Sequence, residues 1–367
     1  GSTLGSLLTG FLLLDTLGLT QTSSLLAAGG LLGGAALLAY AGAPRARVAL
    51  ALGLGLAPVL LSGVLFDGFW ERLLYKRDYR GERFSEVVEN KSGVITIDAD
   101  GVVYGGGAYD GRYSTDLVED QNMVVRCYAL GAFHPSPRRV LEIGLSSGSW
   151  AQVLVNHPDL ESLEIVEINP GYVELIARHE AVKSVLENPK VSIAIDDGRR
   201  WLRRRPAARY DAIVMNTTYN WRAHSTNLLS VEFQTVLKGH LAPGGVLIYN
   251  STGSPEVHRT AAAVFPHSGR LLNFVVASND PLRPDRARWR AKLLAWRIDG
   301  RPVIDSLTNA GRLEQVLGIL SAAEGLAPGV DVPFYAFEPR AQLLERLGPG
   351  AKITEDNMGT EWGQLWR

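Results

Sequence analysis

Cysteine is almost absent: Cys127 is the only one in 367 residues. No intrachain disulfide and no cysteine-rich zinc site can form. The seven histidines show no metal-ligand spacing and no H-E-x-x-H, so no metal is expected. Excess positive charge is also missing, with 37 Lys plus Arg against 38 Asp plus Glu. Bulk electrostatic attraction to nucleic acid is therefore not expected. No G-x-x-x-x-G-K-[ST] occurs, which argues against a nucleoside triphosphate. One scarcity is local. Residues 1–66 hold only Asp15, Arg45 and Arg47, and the other 37 acids and 35 bases follow. An apolar block has been joined to an ordinary soluble domain.

Three stretches of the block are apolar enough to cross a bilayer: Leu4–Leu19, Leu25–Ala43 and Val48–Phe66. A span needs roughly 20 apolar residues, so the first is short. We expect transmembrane helices over 1–66, about three spans with more upstream in a truncated chain, hence an integral membrane protein with the lipid bilayer as partner. Five bases follow the third span (Arg72, Lys76, Arg77, Arg80, Arg83) against two in the preceding loop. That bias predicts a cytoplasmic soluble domain at a bacterial plasma membrane. Phe69, Trp70 and Tyr75 among those bases predict a juxtamembrane interfacial helix over 67–86. Asp15 inside a span marks either a functional or helix-pairing site, or the membrane surface.

The soluble part reads as a small β domain at 87–135, a Rossmann-like domain at 136–305, and C-terminal helices with a tail at 306–367. Val94–Ile97 and Val102–Tyr104 flank an Asp100-Gly101 turn, a hairpin signal. Short apolar runs then alternate with helical stretches: Arg139–Ile143, Leu163–Glu167, Val191–Ile195, Ala212–Met215 and Val246–Asn250. This pattern predicts an α/β doubly wound parallel sheet. Further strands are expected at Asn273–Ala277 and Leu293–Ile298, a solvated loop at Asp285–Arg290, helices over 306–347, and a solvated acidic tail at Ile353–Trp362.

Ligands in such sheets bind at the carboxyl ends of the strands. The ends here carry Gly144-x-x-Ser147-Gly148, Glu167, Asp196-Asp197-Gly198 and Asn216-Thr-Thr-Tyr219. A glycine loop lets backbone approach a ligand, an acid on the next strand suits ribose hydroxyls, and Asp197 suits an adenine amino group. Together they describe a site for an adenosine-bearing cofactor. A sulfonium nucleoside such as S-adenosylmethionine fits a loop without Lys or Arg.

Arg138-Arg-Val-Leu-Glu-Ile-Gly144, Ile165-Val-Glu-Ile-Asn169, Asp196-Asp-Gly198 and Leu241-Ala-Pro-Gly-Gly245 resemble the spermidine synthase family of polyamine aminopropyltransferases. Asn216-Thr-Thr-Tyr-Asn-Trp-Arg222 is similar to a stretch of its membrane-fused, spermidine synthase-like members. The resemblance implies a class I S-adenosylmethionine-binding fold, S-adenosylmethionine or its decarboxylated form as co-substrate, and a homodimer. It also implies nucleoside contacts at Glu167 and Asp197. The family's amine-binding and general-base acids align with Ser147, Asn216 and Tyr219, and its Tyr-His-Glu stretch with Asn122-Met123-Val124. The nucleoside acids are kept, while the amine acids are gone.

Asn216 cannot accept a proton at neutral pH, and an ordinary Tyr is a poor base. Tyr219 and His224 are the fallback proton acceptors. Arg126 and Arg222 suit a substrate carboxylate, and Asp110 lies in a stretch that lines the acceptor side in the family. Four functions follow: an altered-acceptor alkyl transferase, an S-adenosylmethionine lyase releasing methylthioadenosine, a methyltransferase on a membrane acceptor, and a non-catalytic nucleoside sensor. The first two are favoured over true spermidine synthesis.

Overall fold

The structure is a computed structural model and describes residues 2–216, 225–320 and 336–360. It forms two compact units, Gly1–Gly107 and Ala108–Arg367.

In the first unit, only Gly18–Tyr40 is by itself long and apolar enough to span a membrane among the described residues. Its 23 residues give ~34 Å of helix. The stretch Arg45–Leu60 qualifies only together with Ser62–Asp78, across a 59° bend. Pro58 lies inside that helix and removes one ladder donor just before the break. The expected straight third span is thus a bent one. The expected first span is a broken helix, Ser2–Leu8, Thr9–Leu13 and Leu14–Thr16. Gly55 faces Leu31 and Leu32, where an added Cβ would stand 3.2 Å from Leu32 Cδ2, so a small residue permits close helix packing.

The predicted interfacial helix is shorter than expected. Helix covers Phe69–Tyr75, and a single 3₁₀ turn follows at Lys76–Asp78. The strands β1 (Glu86–Asn90), β2 (Gly93–Ile97) and β3 (Val102–Gly105) form an antiparallel meander. Asp98 accepts the Asp100 and Val102 N–H groups at 2.9 Å and closes the Asp100-Gly101 turn. Glu89 on β1 accepts the Trp70 indole N–H at 2.7 Å and the backbone N–H of Leu19. Asp15 pairs with Lys91 Nζ at 2.6 Å. Asp15 therefore meets the meander and does not pair spans.

The second unit is built on an eight-stranded sheet in the order β14-β10-β11-β9-β8-β5-β6-β7. Its strands are β5 (Arg139–Ile143), β6 (Ser162–Glu167), β7 (Val191–Ile195), β8 (Tyr210–Met215), β9 (Leu241–Asn250), β10 (His267–Leu271), β11 (Phe274–Ser278) and β14 (Phe337–Pro339). Strand β4 (Ala108–Arg112) precedes them, and Arg297–Ile298 and Arg301–Pro302 (β12 and β13) pair as a ribbon. The run β9-β8-β5-β6-β7 is parallel, while β11, β10 and β14 add antiparallel. The chain goes from β5 out to β7, then returns to β8 on the other side of β5. The topological switch point therefore lies at the ends of β5 and β8, between Gly144 and Asn216. One face buries Leu141, Ile143, Ile213, Phe233, Leu247 and Tyr249.

Four expectations fail in the second unit. Residues 293–298 are mostly the end of a helix, Arg286–Ala295, and only Arg297–Ile298 is strand. The expected solvated loop at Asp285–Arg290 is that helix's start: Asp285 caps it at the Arg288 N–H, and Trp289 is fully buried, donating to Tyr128 O. Residues 306–347 contain an edge strand, β14, besides helices. The acidic tail is docked rather than solvated. Ile353 is buried and accepts the Val231 N–H at 2.9 Å, and Glu355 pairs with Arg199.

Candidate active site

The loop after β5 is shaped by backbone. Gly144 and Gly148 have φ of 91° and 74°, conformations that favour glycine. A Cβ on Gly148 would stand 2.7 Å from Ile176 Cδ1, and one on Gly198 2.7 Å from Ile143 Cγ2. Both glycines therefore serve close packing as well. Ser147 is buried, and its hydroxyl donates to Ser149 Oγ at 3.2 Å.

Glu167 ends β6 and is buried. Its oxygens accept the Leu145 N–H at 2.7 Å and the Asn169 N–H at 2.8 Å. Burial pushes its carboxyl up to about 7, helped by the nearby Asp110 charge and against the pull of the Asn169, Leu145 and Ser146 backbone donors. Asp197 caps the helix Gly198–Arg203, accepting the Arg200 N–H at 2.8 Å. Asp196 is taken up by Arg200 and lies 3.7 Å from Arg204. Its carboxylate serves a local ion pair.

A pocket of about 300 Å³ opens beside this loop, at the carboxyl ends of β8 and β9. Five amide side chains line it among the described residues: Gln121, Asn122, Asn216, Asn250 and Asn273. Asn122 accepts the Tyr109 hydroxyl at 2.8 Å, and Asn273 donates to Asn250 Oδ1 at 3.1 Å. Among the described residues, the charged side chains in the lining are Asp110 and Arg126. Asp110 accepts the Tyr172 hydroxyl, and its backbone oxygen accepts Ser146 Oγ, which ties the pocket to the glycine loop. Beneath the pocket, Ser251 donates to Asn273 O at 2.6 Å and meets His258 Nε2 at 3.0 Å.

The structure thus brings Asn122, Asn216, Asp110 and Arg126 to one pocket beside Gly144, Ser147 and Gly148. Glu167, Asp196, Asp197 and Gly198 stand on the neighbouring strand ends. Tyr219, Arg222 and His224 lie outside the described residues. Asn250 and Asn273 were missed by the sequence reading. Their strand-end positions were a signal, but only the pairing of β9 with β11 brings them together. No group of three His, Cys, Asp or Glu able to hold a metal occurs among the described residues.

The spermine/spermidine synthase domain matches residues 122–278. Over those residues the second unit is similar to that domain. Polyamine aminopropyltransferase 2 of Hyperthermus butylicus is 29% identical over 189 residues, which cover 46% of this chain and 62% of that protein. Polyamine aminopropyltransferase of Streptococcus pneumoniae is 33% identical over 148 residues, covering 37% of this chain and 51% of that protein. The chain thus spans less than two thirds of either relative. A crystal structure of spermidine synthase with the transition-state analogue AdoDATO covers 65% of this chain and 89% of its own, at 17% identity and a TM-score of 0.49. The spermidine synthase-like unit keeps a glycine loop and two strand-end acids, but its adjoining pocket is amide-lined.

Proposed function

We propose that this chain is a membrane-anchored, cytoplasm-facing enzyme. It binds S-adenosylmethionine or its decarboxylated form and breaks the sulfonium–carbon bond with methylthioadenosine as product. Glu167 takes the ribose hydroxyls and Asp197 the adenine amino group. The reading is supported by the polyamine aminopropyltransferase relatives and by the strand-end geometry.

The observation that carries the choice of reaction is the pocket lining. A polyamine is a multiple cation and needs several carboxylates. Among the described residues this pocket offers five amides and one acid, with a guanidinium beside it. Amides are not bases at neutral pH, and general-base help is typically worth ~10²–10⁴-fold. An S-adenosylmethionine lyase or an altered-acceptor transferase is therefore favoured over spermidine synthesis. In the lyase reaction the substrate's own carboxylate attacks the γ-carbon. The carbon–sulfur bond breaks, its electron pair stays on sulfur, and a lactone and methylthioadenosine leave with no proton removed. Holding these groups in attack geometry supplies rate without a base.

Mass spectrometry of products from detergent-purified protein and S-adenosylmethionine tests this, alone and with diamines. Methylthioadenosine is expected. S-adenosylhomocysteine would instead show methyl transfer to a membrane acceptor, and binding without turnover would show a nucleoside sensor.

A further inference from the structure

Arg126 is a buried guanidinium without a carboxylate partner among the described residues. It donates through Nε to Met123 O at 2.7 Å, through Nη2 to Asn122 O at 3.1 Å, and through Nη1 to Asn273 Oδ1 at 3.0 Å. All three acceptors are neutral. Its carbon Cζ lies 4.4 Å from the Phe274 ring centroid and 5.7 Å from that of Trp150. The plane is therefore fixed on both edge and face. Asp120, the carboxylate whose field reaches it, is engaged by Arg312 at 3.1 Å. Elsewhere in this unit the fully buried Glu338 is held by Arg270 at 2.7 Å and Arg346 at 2.8 Å, while burial raises the carboxyl of Glu142, which has no hydrogen-bond partner among the described residues, well above the usual carboxylate range. Burial pulls the Arg126 guanidinium down to about 10, so it stays charged at neutral pH.

A desolvated charge normally has a counter-charge, since an uncompensated one is strongly destabilising. Here the side chain forms part of a pocket wall, and two of its five N–H protons are unused by the described residues. An anionic group of a ligand fits that place. The pocket has room for an amino-acid tail, and Asp110 supplies one opposite charge for an ammonium.

We propose that Arg126 binds the α-carboxylate of the nucleoside's tail, so that the co-substrate is intact S-adenosylmethionine and not its decarboxylated form. This rests on the nucleoside site proposed above. Asn273 is the positioning residue. Its side chain holds Arg126 Nη1, and its own backbone oxygen is held by Ser251. The decarboxylated ligand would leave the guanidinium desolvated and unpaired.

The test uses thioethers, which lack the sulfonium and cannot turn over. Calorimetry on the full chain in detergent compares S-adenosylhomocysteine, its decarboxylated counterpart S-adenosyl-3-thiopropylamine, and methylthioadenosine. S-adenosylhomocysteine is expected to bind at least about tenfold more tightly than the decarboxylated thioether. In R126M that ratio should collapse to about one, with methylthioadenosine affinity unchanged. Equal or tighter binding of the decarboxylated thioether by the unsubstituted protein overturns the proposal, whether or not R126M folds. If methylthioadenosine itself fails to bind, the nucleoside reading falls first. Binding of methylthioadenosine without the expected preference sinks only the role of Arg126.

Discussion

The two ends of the site solve different electrostatic problems. At the nucleoside end, acids stand at strand ends and are held by backbone. Glu167 takes two N–H groups and Asp197 caps a helix. In the pocket beside the loop the described lining is mostly amide, and the buried Arg126 is held by neutral oxygens. A carboxylate at a strand end doubles as a structural cap, so it is retained for two reasons. The tail pocket is free of that duty, and its chemistry can change while the fold stays.

The largest effect expected from breaking this contrast is at Asp197. Asp197→Ala should lower methylthioadenosine formation by about 10³-fold or more, read by mass spectrometry. Loss of the cap should also destabilise by ~1 kcal/mol in denaturant titration. Full turnover in this variant would mean the nucleoside site is misplaced. Next is Gly148→Ala, which places a Cβ 2.7 Å from Ile176 at positive φ. Destabilisation of ~2–3 kcal/mol is expected, and trimming Ile176 to Val should recover part of it. Full stability would show that the loop has room to spare.

The tail end rests on His258, whose pKa burial lowers to about 3. The unfolded chain takes up that proton below about 6.5 while the folded one does not, so stability should fall as pH drops from 6.5 toward 3. His258→Gln should flatten the slope by up to ~1.4 kcal/mol per pH unit. The smallest effect concerns Glu167, with its carboxyl near 7. Ribose hydroxyls donate, which favours the ionised form. Methylthioadenosine affinity should therefore rise with pH up to about 7 and then level off, by at most ~10-fold per unit. Glu167→Gln should abolish the rise, and a pH-independent affinity in the unsubstituted protein would remove Glu167 from the site.

Strand ends were legible because glycine, aspartate and asparagine punctuate short β-branched runs at 144, 197 and 216. The helix at Arg286–Ala295 was not. Asp285, Arg286, Arg288 and Arg290 mark a solvated loop or face, yet Arg288 bonds the Gly131 and Ala132 carbonyls and Trp289 fills the core. The docked tail was missed because acids surround Ile353, the residue that anchors it. In the first unit, hydropathy marked the apolar runs but not the break after Pro58.

By itself the sequence determined the local chemistry. It showed apolar runs of spanning length, β-α alternation, and the glycines, acids and amides at the strand ends, because those depend on neighbours along the chain. The tertiary structure decided which distant residues share a pocket. Asn122, Asn216, Asn250 and Asn273 meet only because β8, β9 and β11 lie side by side with their loops at one edge. The unpaired charge of Arg126 could be recognised only there too, since solvation and partners are properties of the packed chain.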